Sequence, residues 1–388
     1  VVEQRLLNDW LDTYMEYTDD TEPPELFRLW SGISVLAGAM QRTLSLDWGM
    51  ETVYPNLFVI LVGPAGSRKG TAMRPGQFIL QDSKIKTTAD SMSREAFVEA
   101  FISAESTTMV SETKAMIHSS LTVYHEEIAG LFRKQDPDFM NVLTQWFDCP
   151  AEYNHKTIGR GDRVVNNLWL NLIGATTPEL LRMQITGDTI GSGFTSRVIF
   201  VKEDKKAKVV IIPKYTEKMR EQSELLSADL LSVRDASGKF TWSQSYEDRY
   251  RKWRISDEKS PRFTDPNFDG YCNRRSLHLR KLSMIMSMSR GFSMIMEAED
   301  FDRALDVLER TEKNMGDVFG GIGADPLAAI KDKIIFFIRS RGICELSELH
   351  QAFMNDLDDR NFAMILAQLT RARIIDTING TKIKYIKK

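Results

Sequence analysis

The stretch YPNLFVILVGPAGSRKGT, residues 54 to 71, constrains the fold of this chain more than any other. Leu57-Phe58-Val59-Ile60-Leu61-Val62 has no polar alternation, so a strand made from it must be covered on both faces, as in a parallel α/β sheet. The run breaks at Gly63. Gly63 and Gly66 let backbone N–H groups turn inward around an anion, and Lys69 adds a point charge for outer phosphates. Pro64, Ala65, Ser67 and Arg68 complete the loop, and Gly70 and Thr71 lead into a helix. The pattern reads as a nucleotide site, with an ordinary glycine-rich strand-to-helix turn as its alternative. Set against G-x-x-x-x-G-K-[ST], Arg68 stands where glycine is expected and Gly70 where the magnesium-binding hydroxyl is expected. Thr71 is one residue late. It would reach the metal if the helix began one residue later; otherwise a water would take that role.

A chain of 388 residues with 42% hydrophobic and 10% aromatic residues has globular composition and room for a main domain with smaller ones appended. The formal net charge of −3 gives no global basic signal, so nucleic-acid contact would have to come from local patches. Cys149, Cys272 and Cys344 lie far apart without metal-ligand spacing, which points to a reducing compartment. No run approaches about 18 uninterrupted apolar residues and the start lacks a signal-peptide pattern. A cytoplasmic location is therefore expected.

Before the glycine loop, residues 4 to 18 and 24 to 41 carry helical apolar spacing, with a turn at Asp19 to Pro24. Trp10 and Trp30 share apolar faces and read as core. After the loop, residues 72 to 120 read as helix with breaks. The apolar run Leu121 to Tyr124 then ends in His125-Glu126-Glu127. An apolar strand ending in two acids suits triphosphate hydrolysis, with Glu126 holding magnesium through water and Glu127 orienting or deprotonating the attacking water. A solvated strand end is the plainer alternative.

Residues 146 to 170 contain Gly159-Arg160-Gly161 between two segments that can pair as a hairpin. Lys156, Arg160 and Arg163 would lie at or near its tip, where they could touch phosphates without reading bases, or serve only as the charges of a solvated hairpin. Leu168 to Ala175 is again a buried-strand pattern. It ends in Thr176-Thr177-Pro178-Glu179, where Thr177 could position the lytic water. Arg197 opens the strand Val198 to Val201, either as a solvent-facing residue or as a finger for a neighbouring subunit's phosphate.

This succession resembles the AAA+ ATPases of phages and integrated mobile elements, a helicase-like group similar to the minichromosome-maintenance replicative helicases. The resemblance rests on YPNLFVILVGPAGSRKGT, VYHEE, the basic hairpin, IGATTPELL and GFTSRVIFV, and runs from about Glu22 to Phe319. It implies an α/β AAA+ P-loop core. By that resemblance Lys69 belongs to Walker A, Glu126 and Glu127 to Walker B, Thr177 to sensor 1, Arg197 to an arginine finger and residues 156 to 163 to a DNA-gripping hairpin. It further implies ATP and Mg2+ as cofactors, a homo-oligomer of hexameric size, single-stranded DNA in its channel, and a primase or other replication protein as partner. Threonine replaces the asparagine usual at sensor 1.

From Lys202 to Pro266 the sequence is charged and weakly periodic, with Lys205-Lys206-Ala207-Lys208 reading as a solvated turn. A helix from Asp269 to Met288 fits the lid of this class, and either Arg274 or Arg275 would be sensor 2. Glu297 to Phe319 is one further helix. Gly320 to Pro326 reads as a linker. Beyond it, helices at 326–340, 346–353 and 359–372 and strands at 374–378 and 381–386 about Asn379-Gly380 make a winged-helix pattern. Arg371, Arg373, Lys382 and Lys384 are its phosphate-contact candidates, with a protein-docking module as the alternative. The expected divisions are an N-terminal helical region 1–50, an ATPase core 51–202, a helical lid region 203–320 and a winged helix 325–388. The expected function is an ATP-driven ring helicase or translocase on DNA. The alternatives are an ATP-switched initiator or loader and a defence-related ATPase.

Overall fold

The computed structural model describes residues 5–88, 93–128, 137–157, 161–185, 193–263, 265–291, 293–318, 328–354 and 356–386. Its organising element is the strand β3, Phe58–Val62, in which every residue is fully buried. Full burial of such side chains contributes about 1.5–3 kcal/mol each, which explains why a sequence with no polar alternation takes this central place. In chain order β3 follows the helices α1, Trp10–Tyr17, and α2, Glu25–Met40, and the short strands β1, Leu44–Trp48, and β2, Glu51–Val53. After it come the helices α3, Lys69–Asp82, and α4, Arg94–Ser103, then the strands β4, Glu105–Ser111, and β5, Lys114–His125. The helix α5, Pro137–Phe147, precedes strands β6, Glu152–Thr157, β7, Gly161–Asn166, and β8, Leu168–Thr176; α6, Pro178–Gln184, and β9, Val198–Lys202, follow.

The main sheet has the order β4-β5-β8-β3-β9, so β3 pairs in parallel with β8 on one side and β9 on the other. β5 is parallel to β8, while β4 is antiparallel to β5 at the edge. The fold is therefore α/β with mixed pairing. Each parallel strand delivers its next segment to the same carboxyl edge, and these are the segments carrying the glycine loop, the two acids and the Thr176-Thr177 pair.

Two sequence expectations change here. The stretch expected to be broken helix over 72–120 is helix only to Ser103 and then turns into the β4–β5 hairpin, so the acid-bearing strand is twelve residues long. The β-branched residues Thr107, Thr108 and Val110 suit that edge pairing. The N-terminal region is also not purely helical: β1 and β2 form a hairpin about Gly49, whose φ of +65° is a left-handed turn. β1 continues into a second sheet of order β11-β10-β1-β2 with the strands Gly238–Trp242 and Ile295–Met296 as β10 and β11.

The chain divides into two compact units, Val1–Gly320 and Gly321–Lys388. Within the first, α2 is buried on nearly all sides, as expected of a helix that is apolar all round. The Trp10 indole donates to the Leu226 carbonyl and the Trp30 indole to the Thr311 hydroxyl, which ties these early helices to segments more than 200 residues away. Both tryptophans are core residues. The charged segment 203–266 contains two helices, Glu217–Asp235 and Gln244–Lys259, where no clear periodicity announced them. The helices Asp269–Arg290 and Ala298–Met315 follow.

In the second unit, helices Ala328–Arg341, Leu346–Phe353 and Asp359–Arg371 surround a core that includes Ile334, Ile338, Leu349, Phe362 and Ile365. A three-stranded antiparallel sheet, Ile343–Glu345, Lys382–Tyr385 and Ile375–Ile378 in that order, closes it. Asn379 and Gly380 both have positive φ, 51° and 71°, as a tight two-residue hairpin turn requires. Among the described residues no helix is long and apolar enough to cross a membrane.

Candidate nucleotide site at the carboxyl edge of the sheet

The loop from Gly63 to Arg68 joins β3 to α3. A side chain at position 63 would collide with the Glu203 carbonyl at 2.5 Å and the Ser67 hydroxyl at 2.6 Å, so only glycine fits the closed base of the loop. Gly66 has a φ of +85°. Ser67 is buried, its hydroxyl donating to the Pro64 carbonyl at 2.9 Å, while Ala65 and Gly66 are exposed at the rim. Arg68 occupies the consensus glycine position and adopts the left-handed conformation that glycine normally supplies, with φ of +67°. Its guanidinium turns outward to Glu22, 2.6 Å away. Arg68 therefore holds this left-handed backbone at a steric cost of about 1–2 kcal/mol.

Lys69 is the first residue of α3. Its ammonium donates to the carbonyls of Gly63 at 2.6 Å and Pro64 at 3.0 Å, which holds it across the mouth of the loop. Burial lowers its pKa from the ordinary lysine value, opposed by the nearby negative charges of Glu127 and Glu179. Those two carboxylates thus act on the same space as Lys69. The backbone N–H groups of the first turn of α3 have no partner within the helix and open on the loop.

Because α3 begins at Lys69, the later start that would bring Thr71 into the place of the missing hydroxyl does not occur. Position 70 instead faces Glu126. A Cβ added there would meet the Glu126 carboxylate, with its carboxyl carbon 3.0 Å away. The other carboxylate oxygen accepts from Arg74 Nε at 3.0 Å. Glu126 and Glu127 are both exposed just beyond β5. His125, which precedes them, is buried and within 3.0 Å of the Thr88 hydroxyl.

Thr177 caps α6, its hydroxyl accepting from the Leu180 N–H at 3.3 Å. Its neighbour Thr176 is fully buried, and its hydroxyl has no hydrogen-bond partner among the described residues. The Thr176 carbonyl accepts from the Gly63 N–H at 3.3 Å, so the two loops touch. Thr176 and Glu179 stand in the polar strand end read from the sequence, but only Thr177 was given a role there. Their signal was adjacency to Thr177, but only the strand order reveals that they border the lysine loop.

Arg197 lies at the opposite edge. It directly precedes β9, whose five residues span about 17 Å before reaching the level of Gly63. It is buried, with both nitrogens of its fork on the Asp148 carboxylate at 2.6 and 3.3 Å and Nη1 on the Gly193 carbonyl. Arg274 joins it, donating to the Ser196 hydroxyl at 3.0 Å. Together with Lys281, Phe147 and Tyr54 they line a cleft of about 460 Å³. Arg275 points elsewhere, into an ion-pair network with Glu312, 2.6 Å away, and Asp257. Of the two arginine candidates only Arg274 faces open space.

β6 and β7 form the expected hairpin, with Glu152 opposite Asn166 and Thr157 opposite Gly161. Arg163 is within 3.3 Å of Glu99. Arg160 lies outside the described residues, as does the side chain of Lys156. In the second unit Arg371, Arg373, Lys382 and Lys384 are exposed. Lys382 pairs with Glu345 at 3.1 Å, and Lys384 stands across from Asp376. Residues 321–388 hold eleven Lys and Arg against eight Asp and Glu, a net +3 in a chain of net −3.

Among the described residues no group of three or more His, Cys, Asp and Glu side chains could hold a metal by itself. Glu126, whose carboxylate lies against Gly70, is the acid that would serve a magnesium ion taking its remaining oxygens from phosphates and water. The chain matches no protein-family model and no curated protein.

Proposed function

We propose that this chain is the ATPase subunit of a ring that moves along or remodels DNA during replication of a phage or mobile element. The observation that carries the reading is the convergence at one sheet edge of Lys69, Glu126, Glu127 and the Thr176-Thr177 pair, which come from three parallel strands far apart in sequence. A lysine loop, two acids and a polar strand end are what triphosphate hydrolysis with a magnesium ion needs: phosphate binding, metal binding and orientation of the lytic water. Magnesium supplies charge neutralisation on the phosphates. Lys69 binds the outer phosphates, Glu126 holds the metal, Glu127 polarises water, and Thr177 or Thr176 orients it.

Arg197 and Arg274 support a site shared between copies. Arg197 precedes β9 and so starts about one strand length, roughly 17 Å of backbone, from the level of Gly63, and Arg274 lies beside it at Ser196, which favours action on a nucleotide held by a neighbour. The order of strands, the helices beyond β9 and the C-terminal unit of three helices and a three-stranded sheet support the AAA+ and winged-helix assignments. The excess positive charge of that unit and the basic residues of the β6–β7 hairpin support contact with a nucleic-acid backbone.

Subunit mixing tests the shared site. Lys69→Ala and Arg197→Ala should each be inactive, while a 1:1 mixture should regain about one quarter of wild-type turnover, the share of interfaces that pair an intact lysine loop with an intact finger. A mixture as inactive as its parts removes the shared site. A second reading, an ATP-switched DNA-binding initiator with slow turnover, is favoured by the Asp148 grip on Arg197, which must be released before the guanidinium can reach another copy.

A further inference from the structure

The departure at position 70 has a chemical counterpart across the loop. Gly70 is the second residue of α3, and the absence of a side chain there is what lets the Glu126 carboxylate lie against the helix backbone. One carboxylate oxygen lies at Gly70 and the other accepts from Arg74, one turn further along the same helix, at 3.0 Å. Thr71, at about 100° around the helix from position 70, faces a different direction. The P-loop thus has a gap where a hydroxyl is expected and an acid filling it.

We propose that Glu126 is a direct ligand of the nucleotide's metal ion, replacing the Walker A hydroxyl, rather than a group that holds the metal through water. This rests on the ATP reading above. A magnesium site built on phosphates accommodates one or two carboxylates in its inner shell and fills the rest with water, so the exchange keeps the count of oxygen ligands while adding a negative charge. Arg74 serves as a positioning residue that fixes the carboxylate plane along α3. Position 70 is then glycine for a reason: a hydroxyl-bearing side chain would push the acid off the site it replaces.

The experiment is a Mn2+ titration of the full chain with a non-hydrolysable ATP analogue, following free Mn2+ by electron paramagnetic resonance. Metal-free binding of a fluorescent analogue is measured in parallel. Gly70→Ser restores the consensus hydroxyl. Mn2+ binding should weaken by threefold or more in Gly70→Ser and by tenfold or more in Glu126→Gln, in each case by more than any loss of metal-free analogue binding. Glu126 is exposed, so Glu126→Gln remains informative even if Gly70→Ser fails to fold. Tighter or unchanged Mn2+ binding in Gly70→Ser, or a loss within twofold in Glu126→Gln, overturns direct ligation and leaves the ATP site standing. Failure of the wild-type chain to bind the analogue at all overturns the ATP reading and this inference with it.

Discussion

Replacing Arg275 by alanine should unfold this protein far more readily than replacing its neighbour Arg274. The Arg275 side chain is 4% exposed, its Nε and Nη2 donate to Glu312 at 2.6 and 2.9 Å, and its Nη1 contacts Asp257. Glu312 is fully buried, and burial raises its pKa above the usual glutamate range even with Arg275 beside it. Removing one partner of a buried pair costs about 3–5 kcal/mol, because the other charge stays behind. Here Glu312 keeps the Tyr271 hydroxyl at 2.9 Å and Arg262 at 3.2 Å, which sets the expected loss near the lower bound, about 3 kcal/mol. Arg274→Ala gives up a single hydrogen bond at a half-buried site, worth about 1 kcal/mol. Urea unfolding followed by circular dichroism measures both. Adding Glu312→Gln to Arg275→Ala removes the stranded charge and should recover about 1–2 kcal/mol. A loss below about 1 kcal/mol in Arg275→Ala, or no recovery in the double variant, would refute the claim that this arginine is structural.

Arg68→Gly relieves the left-handed strain but surrenders the partly exposed Glu22 pair and adds freedom to the unfolded chain; the net expectation is a gain of up to about 1 kcal/mol in the same unfolding assay, and a clear loss would contradict the strain argument. His278 is buried against Tyr271 and its pKa is pushed down to about 3, chiefly by burial. Between the ordinary value of 6.5 and that lowered value the unfolded chain binds a proton that the folded chain does not, so stability falls as pH falls, by about 1.4 kcal/mol per unit. His278→Phe should flatten the decline between pH 6 and 4, and an unchanged slope would show that other groups control it. Asp148→Asn frees Arg197 from a charged partner, so turnover of the assembled protein should rise if that pair restrains the finger; equal or lower turnover speaks against restraint.

How much of this was legible depended on whether a residue's role is local. The strand Phe58–Val62 was legible because unbroken apolarity allows only a central position, and Asn379-Gly380 because that dipeptide suits the two left-handed turn residues the hairpin needs. The edge strand Glu105–Ser111 was not, since a polar strand with one partner carries little alternation to read. The helices Glu217–Asp235 and Gln244–Lys259 were hidden for a similar reason, being largely charged and exposed with only a few buried anchors such as Leu226, Leu230 and Tyr246. In the candidate site, Lys69 and the two acids were read from motif spacing alone. Arg68 and Gly70 stood out only as departures from the consensus, and the left-handed angle of one and the approach of Glu126 to the other are not encoded in spacing. The separation of Arg197 from Lys69 likewise follows from parallel pairing, which sets the amino end of one strand a full strand length from the carboxyl end of its neighbour.

We propose that the carboxyl edge of the sheet hydrolyses ATP to act on DNA. Steady-state ATP turnover with and without single-stranded DNA, at low and moderate salt, tests it most directly when wild type is run beside Lys69→Ala and a Lys156, Arg160, Arg163 triple-alanine variant. Turnover should be stimulated by DNA, weakened by salt and abolished in Lys69→Ala, and the hairpin variant should lose the stimulation alone. ATP binding with negligible turnover in the presence of any nucleic acid would contradict the motor.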